Sequence, residues 1–194
     1  LGDVYKRQEL MDGVKSDENF RRYKDNSELL RYCYKVAGVV GLMMVKALNI
    51  KDEKAKFYAI DLGIAMQLTN ISRDVMQDYQ KNRIYIPSNT EISESLLENL
   101  DEKGTERVKR AVENLLLKAD IYYKSSLNGI RFIPISSRIS ILIALRIYQA
   151  IGNKIKKTGT KFLYQNIFIT KKEKLVIIIK AILEFVIFFI IPFH

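Results

Sequence analysis

The chain has 194 residues, 48% of them hydrophobic and 28% charged, a composition that excludes a disordered protein and allows one domain with a buried core. Its 32 Lys and Arg residues against 22 Asp and Glu give a net charge of +10, which favours an anionic partner such as a membrane surface, an anionic substrate or nucleic acid. Because no zinc-finger spacing, RNA-binding aromatic motif or basic heptad is present, we expect no nucleic-acid partner.

The first eight residues, 1–8, have no secretory apolar core and fit no helical period, so we predict a non-native leader before Glu9. Residues 9–25 are polar and predict a short helix and a loop. Ser27 is the predicted N-cap of the next helix, in which apolar residues recur three and four apart as far as Met44.

Apolar residues at helical spacing predict a long helix over about 53–80. Two further helical segments are predicted at about 93–100 and 104–128. Another helix is predicted after Pro134, capped by one of the two serines that follow it. Since no strand–helix alternation and no hairpin signal occurs, the sequence predicts an all-α fold without a second domain.

The C-terminal segment 176–194 is almost wholly apolar and predicts a helix over about 173–191. Lys180 and Glu184 interrupt it, and their spacing of four predicts a pair within the helix. Two central charges would cost several kcal/mol in a membrane span. We therefore predict a bundle helix whose end touches the bilayer, with a C-terminal anchor as the alternative.

Cys33 and His194 are the only cysteine and histidine in the sequence. A single cysteine excludes an intrachain disulfide and a cysteine metal cluster. A single histidine at the last position argues against a histidine-based triad or zinc site. Acid–base and metal chemistry must therefore come from Asp, Glu, Tyr, Lys or Arg side chains, or from a bound pyrophosphate.

The polar side chains that point to chemistry lie on the helix predicted over 53–80. Asn70, Asp74 and Asp78 are four apart, so on a helix they form one slowly drifting stripe, which Arg73 borders. Oxygen ligands of this kind suit Mg²⁺, and an arginine suits phosphate oxygens. The same spacing is also found on ordinary solvent-facing helices; the metal site is favoured because the stripe interrupts an apolar helix, where polar groups need partners.

Two segments of the sequence resemble signatures of the squalene/phytoene synthase family. The first covers residues 32–44 (YCYKVAGVVGLMM), and the second covers residues 62–78 (LGIAMQLTNISRDVMQD) followed by 83–87 (RIYIP). They occur in the family's order, and weaker similarity extends the resemblance over about 9–175. The resemblance implies an isoprenoid (terpenoid) synthase helical bundle, here incomplete at its N-terminus.

The resemblance also implies an activity, the head-to-head condensation of two prenyl diphosphates in carotenoid or isoprenoid biosynthesis. Our first expectation is geranylgeranyl diphosphate converted to phytoene, and the alternative is a squalene or dehydrosqualene synthase that uses farnesyl diphosphate. The implied cofactor is Mg²⁺, with Mn²⁺ as its substitute, and NADPH is expected only for a squalene synthase. We expect a cytoplasmic monomer, peripheral to the inner face of the membrane.

By the same resemblance, Asn70, Asp74 and Asp78 are the metal ligands, and Asp74 and Asp78 are catalytic together with Tyr32. The ring of Tyr32 would face a carbocation, and its hydroxyl would move a proton. By pattern alone, an ordinary half-buried helix tyrosine is the more common outcome for Tyr32, and the small residues of the first signature could serve either helix packing or a ligand. The predicted substrate-binding residues, including those lining the prenyl tunnel, are Gln67, Arg73, Val36, Ala37, Val40, Gly41, Met44 and Tyr148.

The sequence departs from the family pattern at two places. The family's first aspartate-rich motif has no counterpart, since the only early candidate, 12–17, matches a different family segment; we therefore expect a fragment that is inactive alone. Asn166 stands where the family usually has a pyrophosphate-binding arginine. A non-catalytic scaffold protein is the alternative of another class, and the retained Asp74 and Asp78 favour the enzyme. A small membrane-anchored protein with accidental motifs is disfavoured by two ordered signatures.

Overall fold

The computed structural model describes residues 2–189, which fold into α-helices joined by turns and loops, with no β-strand among them. The helices are α1 (Gly2–Lys15), α2 (Asn26–Cys33), α3 (Val39–Ala47), α4 (Lys54–Arg73), α5 (Val75–Tyr79), α6 (Glu94–Glu98), α7 (Glu102–Leu127), α8 (Ile135–Thr158) and α9 (Lys171–Phe189). The all-α prediction is confirmed. The boundary proposed between a leader over 1–8 and a domain over 9–175 falls inside α1, and the proposed start of the C-terminal segment 176–194 falls inside α9.

Helix α4 packs against α3, α7 and α8. One side of α4 is apolar at helical spacing, and its Ile64, Leu68 and Ile71 are buried in the same core cluster as the inner face of α7. Full burial of such a side chain contributes about 2 kcal/mol. This contact therefore stabilises the fold and fixes which side of α4 faces away from α7.

Helix α4 is in backbone contact with α3 and with the π-helical turn Tyr34–Gly38 that precedes α3. A Cβ atom on Gly63 would lie 2.3 Å from the carbonyl oxygen of Ala37, and one on Gly41 would lie 2.2 Å from the carbonyl oxygen of Ala59. Any side chain at either position would displace a helix backbone. Both glycines therefore serve helix packing, which for Gly41 is one of the two uses that the sequence had left open.

Some predicted helix starts are wrong. The N-cap of α2 is Asp25, whose carboxylate accepts hydrogen bonds from the backbone N–H groups of Ser27 and Glu28. No serine side chain caps α8, which begins directly after Pro134; the fixed φ of proline already suits a helix start. Helix α9 begins at Lys171, and residues 190 and 191 of its predicted range lie outside the described residues.

Two irregularities lie in the signature segments. Tyr34–Gly38 forms a π-helical turn between α2 and α3, a feature that is frequent at functional sites. The helix predicted over 53–80 is broken at Asp74, where φ is −102° and ψ is 17°. The Asp74 N–H still donates to the carbonyl of Asn70 at 2.9 Å, and the Asp78 N–H donates to that of Asp74 at 2.8 Å. The predicted stripe is therefore bent but kept.

Helix α9 is joined to α8 by charge pairs. The guanidinium of Arg146 donates to both carboxylate oxygens of Glu184, so the predicted pairing of Glu184 with Lys180 is wrong. Glu184 faces α8, where a half-buried carboxylate requires a partner, whereas Lys180 is exposed. Lys154 of α8 pairs in the same way with Glu173 of α9, at 2.8 Å.

One helical stretch in the described part of the chain, Ile135–Leu163, is long and apolar enough to cross a membrane by length and composition, with mean hydropathy 1.2. It comprises α8 and the turn that follows, and not the predicted segment 176–194. Only 22% of its apolar window is buried, yet α8 forms ion pairs with α7 and α9, as expected of a bundle helix. Residues 190–194 of the predicted segment lie outside the described residues.

Candidate active site

An apolar cavity of about 170 Å³ lies among α3, α4 and α8. Tyr58, Leu62 and Met66 of α4, spaced one helical turn apart, form part of its wall. Gly41 and Met44 of α3 lie on another side. The cavity offers space and apolar contacts for a hydrocarbon chain.

The polar stripe begins one helical turn beyond this cavity. Counting in fours from Met66 leads to Asn70, Asp74 and Asp78, whose side chains are all part-buried. Among the described buried side-chain polar atoms, two lack a hydrogen-bond partner, Asn70 Oδ1 and Ser72 Oγ. A buried oxygen without a partner costs about 1–3 kcal/mol, and Asn70 Oδ1 lies in the stripe, where a ligand can supply that partner.

Arg73 binds its neighbour Asp74 through two hydrogen bonds. Its Nε donates to Oδ1 at 2.7 Å, and a terminal nitrogen donates to Oδ2 at 2.6 Å. These bonds raise the pKa of the Arg73 guanidinium. Arg73, expected to face pyrophosphate, therefore neutralises one of the predicted metal ligands here. Tyr148, another predicted substrate residue, is part-buried on α8 and packs against the core.

Asp78 lies in an environment that disfavours its charge. Burial, followed by the negative charge of Asp74, raises the pKa of the Asp78 carboxyl to about 6, although Lys81 and Arg83 act in the opposite direction. Asp17, from the loop after α1, contributes to the same rise. A cation bound at the stripe would relieve this repulsion.

The described residues contain no group of three or more His, Cys, Asp or Glu side chains placed to hold a metal. The stripe instead provides two carboxylates and the amide oxygen of Asn70. This set fits Mg²⁺, which is usually held by one or two carboxylates and takes other ligands from water and substrate phosphates. The unpartnered Asn70 oxygen and the raised pKa of Asp78 are both consistent with a cation site.

Tyr32 belongs to a cluster of aromatic rings rather than to the stripe. It is 5% exposed and stacks on Tyr85 with ring centroids 5.2 Å apart, and Tyr23 and Phe20 pack beside them. The Tyr32 hydroxyl donates to Asp17 Oδ2 at 3.0 Å, and the Tyr85 hydroxyl donates to Oδ1 at 2.8 Å. Burial raises the pKa of both hydroxyls well above its usual value. Both tyrosines therefore remain protonated at neutral pH.

The other predicted substrate residues are not all brought to the cavity. Val36 and Ala37 lie in the π-helical turn, with Val36 packed on the core, and Val40 is 41% exposed on α3. Gln67 is part-buried on α4. Of the predicted tunnel-lining residues, Gly41 and Met44 are the ones that line the cavity.

Asn166 lies close to Arg73, since both line a polar cleft of about 240 Å³. The side-chain amide of Gln77 donates a hydrogen bond to Asn166. Arg73 is therefore the cationic group beside this cleft, at the place where the resemblance leads us to expect a second arginine.

Asp17 and Tyr85 are the two site residues to which the sequence assigned no role. Tyr85 lies within the second signature segment, 83–87, so its position was a usable signal. Asp17 lies in the segment 12–17, which matched the family without any role. Its partners are 15 and 68 residues away along the chain, a separation that a local pattern does not reveal.

A helical bundle in which an apolar cavity adjoins a stripe of oxygen-bearing side chains is typical of isoprenoid synthases. A crystal structure of a dehydrosqualene synthase superposes with a TM-score of 0.80 and 25% identity, over 93% of this chain and 64% of that chain. The family model of squalene/phytoene synthase matches residues 7–173. The chain therefore belongs to the squalene/phytoene synthase family.

Two similar proteins are 15-cis-phytoene synthases. That of Enterobacter agglomerans is 36% identical over 171 residues, which are 87% of this chain and 58% of that protein. That of Pantoea ananas is 35% identical over 173 residues, which are 88% of this chain and 56% of that protein. The chain thus spans a little over half the length of these relatives.

Proposed function

We propose that this chain belongs to an enzyme that condenses two molecules of geranylgeranyl diphosphate head to head into phytoene. Two similar proteins are 15-cis-phytoene synthases. A squalene or dehydrosqualene synthase that uses farnesyl diphosphate is the second candidate, supported by the structural similarity to a dehydrosqualene synthase. The retained carboxylates of the stripe favour an enzyme over a scaffold protein.

The observation that carries the proposal is the change of character along one side of α4. Leu62 and Met66 line the apolar cavity, and the following residues in the same four-residue series are Asn70, Asp74 and Asp78. A prenyl diphosphate has the same division between a hydrocarbon tail and an anionic head. Its tail would occupy the cavity while its diphosphate lies at the stripe.

Asn70, Asp74 and Asp78 are the residues that would hold Mg²⁺, with Mn²⁺ as a substitute. The metal supplies positive charge that stabilises the departing diphosphate. Arg73 can turn from Asp74 to a diphosphate oxygen once a cation neutralises Asp74, and its planar fork suits that contact. The apolar cavity keeps water from an allylic cation.

Replacing Asp74 by Asn tests the metal assignment. Asp74→Asn keeps the shape of the side chain and removes its charge. In the enzyme expressed from its complete coding sequence, we expect kcat to fall about a hundredfold or more. The matched control is Asp12→Asn, on the exposed side of α1, which should leave turnover unchanged.

Turnover is measured with Mg²⁺ and either C20 or C15 diphosphate, and products are identified by mass, without NADPH and then with it. The 194-residue chain is assayed in parallel to test the proposal that it is inactive alone. If the complete enzyme consumes neither substrate, the function is wrong. If Asp74→Asn matches the wild type, the metal assignment is wrong.

We also propose that α9 attaches the protein to an anionic membrane surface on the cytoplasmic side. Six large apolar side chains on its outer face are exposed: Leu175, Val176, Ile179, Ile182, Leu183 and Ile187. Lys171, Lys172, Lys174 and Lys180 flank this face and are exposed. An apolar face bordered by lysines suits an interfacial helix on anionic lipid.

Sedimentation with vesicles tests this surface. Vesicles that contain anionic lipid should bind the protein, and vesicles of neutral lipid should bind less. Ile182→Glu should weaken binding at least about tenfold because the charge enters the apolar face. The matched control is Ile121→Glu, at an isoleucine that is also exposed but lies on α7. Equal losses in both variants would contradict the proposal.

A further inference from the structure

The loop between α1 and α2 holds a carboxylate that the metal stripe does not use. Each oxygen of Asp17 accepts one tyrosine hydroxyl: Oδ2 from Tyr32 at 3.0 Å and Oδ1 from Tyr85 at 2.8 Å. Both rings are almost fully buried, with 5% and 7% of their surface exposed. One side chain therefore determines the direction of two buried O–H bonds.

The position of this carboxylate is fixed from outside the tyrosine cluster. The Arg83 Nε donates to the backbone carbonyl of Asp17 at 3.1 Å. Arg22, five residues further along the same loop, donates to the carbonyls of Ile86 and Pro87. The loop is thus tied to the end of the second signature, which also carries Tyr85.

The two hydroxyls have an alternative arrangement without Asp17. Their oxygens are 3.3 Å apart, close enough for Tyr32 to donate to Tyr85. A hydroxyl has one proton, so donation to Asp17 and donation between the tyrosines exclude each other for Tyr32. An ionised carboxylate forms the stronger bond, and it therefore holds both protons on its own side.

We propose that Asp17 is a positioning residue that orients the hydroxyl groups of Tyr32 and Tyr85, so that their oxygen lone pairs and not their protons face the reacting carbons. This inference rests on the proposed function and on the role that the resemblance implies for Tyr32, whose ring would face a carbocation. An oriented oxygen stabilises positive charge, whereas an O–H dipole of reversed direction opposes it. Asp17 acts through the tyrosines and needs no contact with the substrate.

Asp17→Asn is the informative change because it keeps the shape of the side chain and reverses the donor and acceptor in one of its two hydrogen bonds. An amide offers one acceptor and one N–H donor in place of two acceptors. One tyrosine hydroxyl can still donate to the amide oxygen of the asparagine. The other hydroxyl accepts a hydrogen bond from the amide N–H, so its own proton points away from residue 17. Asp12→Asn on α1 is the control for loss of one negative charge.

Kinetics separates positioning from a general structural role. In the complete enzyme, Asp17→Asn should lower kcat about tenfold to a hundredfold, with KM within about twofold of the wild type. The same change should have no further effect when Tyr32 and Tyr85 are both replaced by Phe, since no hydroxyl remains to orient. A loss of kcat that persists in full on the Tyr32→Phe, Tyr85→Phe background would overturn the proposal.

A spectroscopic measurement on the 194-residue chain tests the orientation independently of turnover. The sequence contains no Trp, so ultraviolet Raman spectra report tyrosine hydroxyls without interference. The intensity ratio of the tyrosine Fermi doublet should change in the direction of weaker hydrogen-bond donation in Asp17→Asn. The ratio should stay unchanged in Asp12→Asn. An unchanged doublet in Asp17→Asn would refute the orientation, whereas an inactive wild-type enzyme with the expected shift would refute the proposed function alone.

Discussion

Replacing Asp78 by Asn should stabilise the metal-free protein at neutral pH. The carboxyl of Asp78 is part-buried next to Asp74, and these two causes raise its pKa from 3.8 to about 6. An asparagine has the same shape and no charge to bury. The change therefore removes a destabilising group, and it is expected to harm only the binding of a cation.

The magnitude and the sign follow from proton linkage. A pKa that is higher in the folded than in the unfolded state gives stability that is complete below pH 3.8 and is lost as pH rises through 6. The whole shift corresponds to about 3 kcal/mol, and solvent screening at this half-exposed site reduces it to about 1 kcal/mol. The variant should therefore exceed the wild type by about 1 kcal/mol at pH 8 and by almost nothing at pH 4.

Urea unfolding followed by far-ultraviolet circular dichroism measures the difference in unfolding free energy between variant and wild type, since helices dominate the described fold. Asp12→Asn serves as the control, because it changes the net charge by the same amount at an exposed position. The reasoning is refuted if Asp78→Asn is no more stable than the wild type at pH 8, or if its advantage is equal at pH 4 and pH 8.

Two further predictions concern helix packing. Gly63→Ala should lower the free energy of unfolding by about 2 kcal/mol or more, because its Cβ would meet backbone atoms of the π-helical turn. Gly152→Ala, whose Cβ would meet one Leu116 methyl at 3.2 Å, should be close to neutral. Equal effects of the two changes in urea unfolding would contradict the close approach of α4 to that turn. Glu184→Gln should lower the free energy of unfolding by about 1 kcal/mol or more, because Arg146 loses its charged partner. Lys180→Gln should lower it by almost nothing, and a larger loss for Lys180→Gln than for Glu184→Gln would favour a pair within α9.

The helices were predictable because apolar periodicity is a local property. The buried side of α4 is predictable from the helical spacing of Ile64, Leu68 and Ile71, and all three are buried in the structure. Boundaries were less accurate because several side chains can cap a helix start. Asp25 and Ser27 are both good N-cap residues, and the backbone conformation, which spacing does not contain, decided for Asp25.

Contacts between distant segments were not predictable in the same way. Glu184 had a plausible partner four residues away, but its orientation toward α8 brought it to Arg146, 38 residues back. Asp17 likewise acquires its role only when the loop after α1 meets Tyr85, 68 residues later. The spacing of the stripe was predictable because its members are four residues apart in one segment, and the hydrogen bonds across the break at Asp74 keep that spacing.

The break at Asp74 accompanies a contact between neighbouring side chains that spacing also does not reveal. Neighbouring residues in a continuous α-helix do not face each other, yet Arg73 and Asp74 form two hydrogen bonds at 2.6 and 2.7 Å. That pair is compatible with the departure of Asp74 from α-helical dihedrals. In the proposed function, a cation on Asp74 or a phosphate oxygen on Arg73 would separate this pair. The irregular backbone at Asp74 thus coincides with the pair in which a proposed metal ligand and a proposed diphosphate contact hold each other.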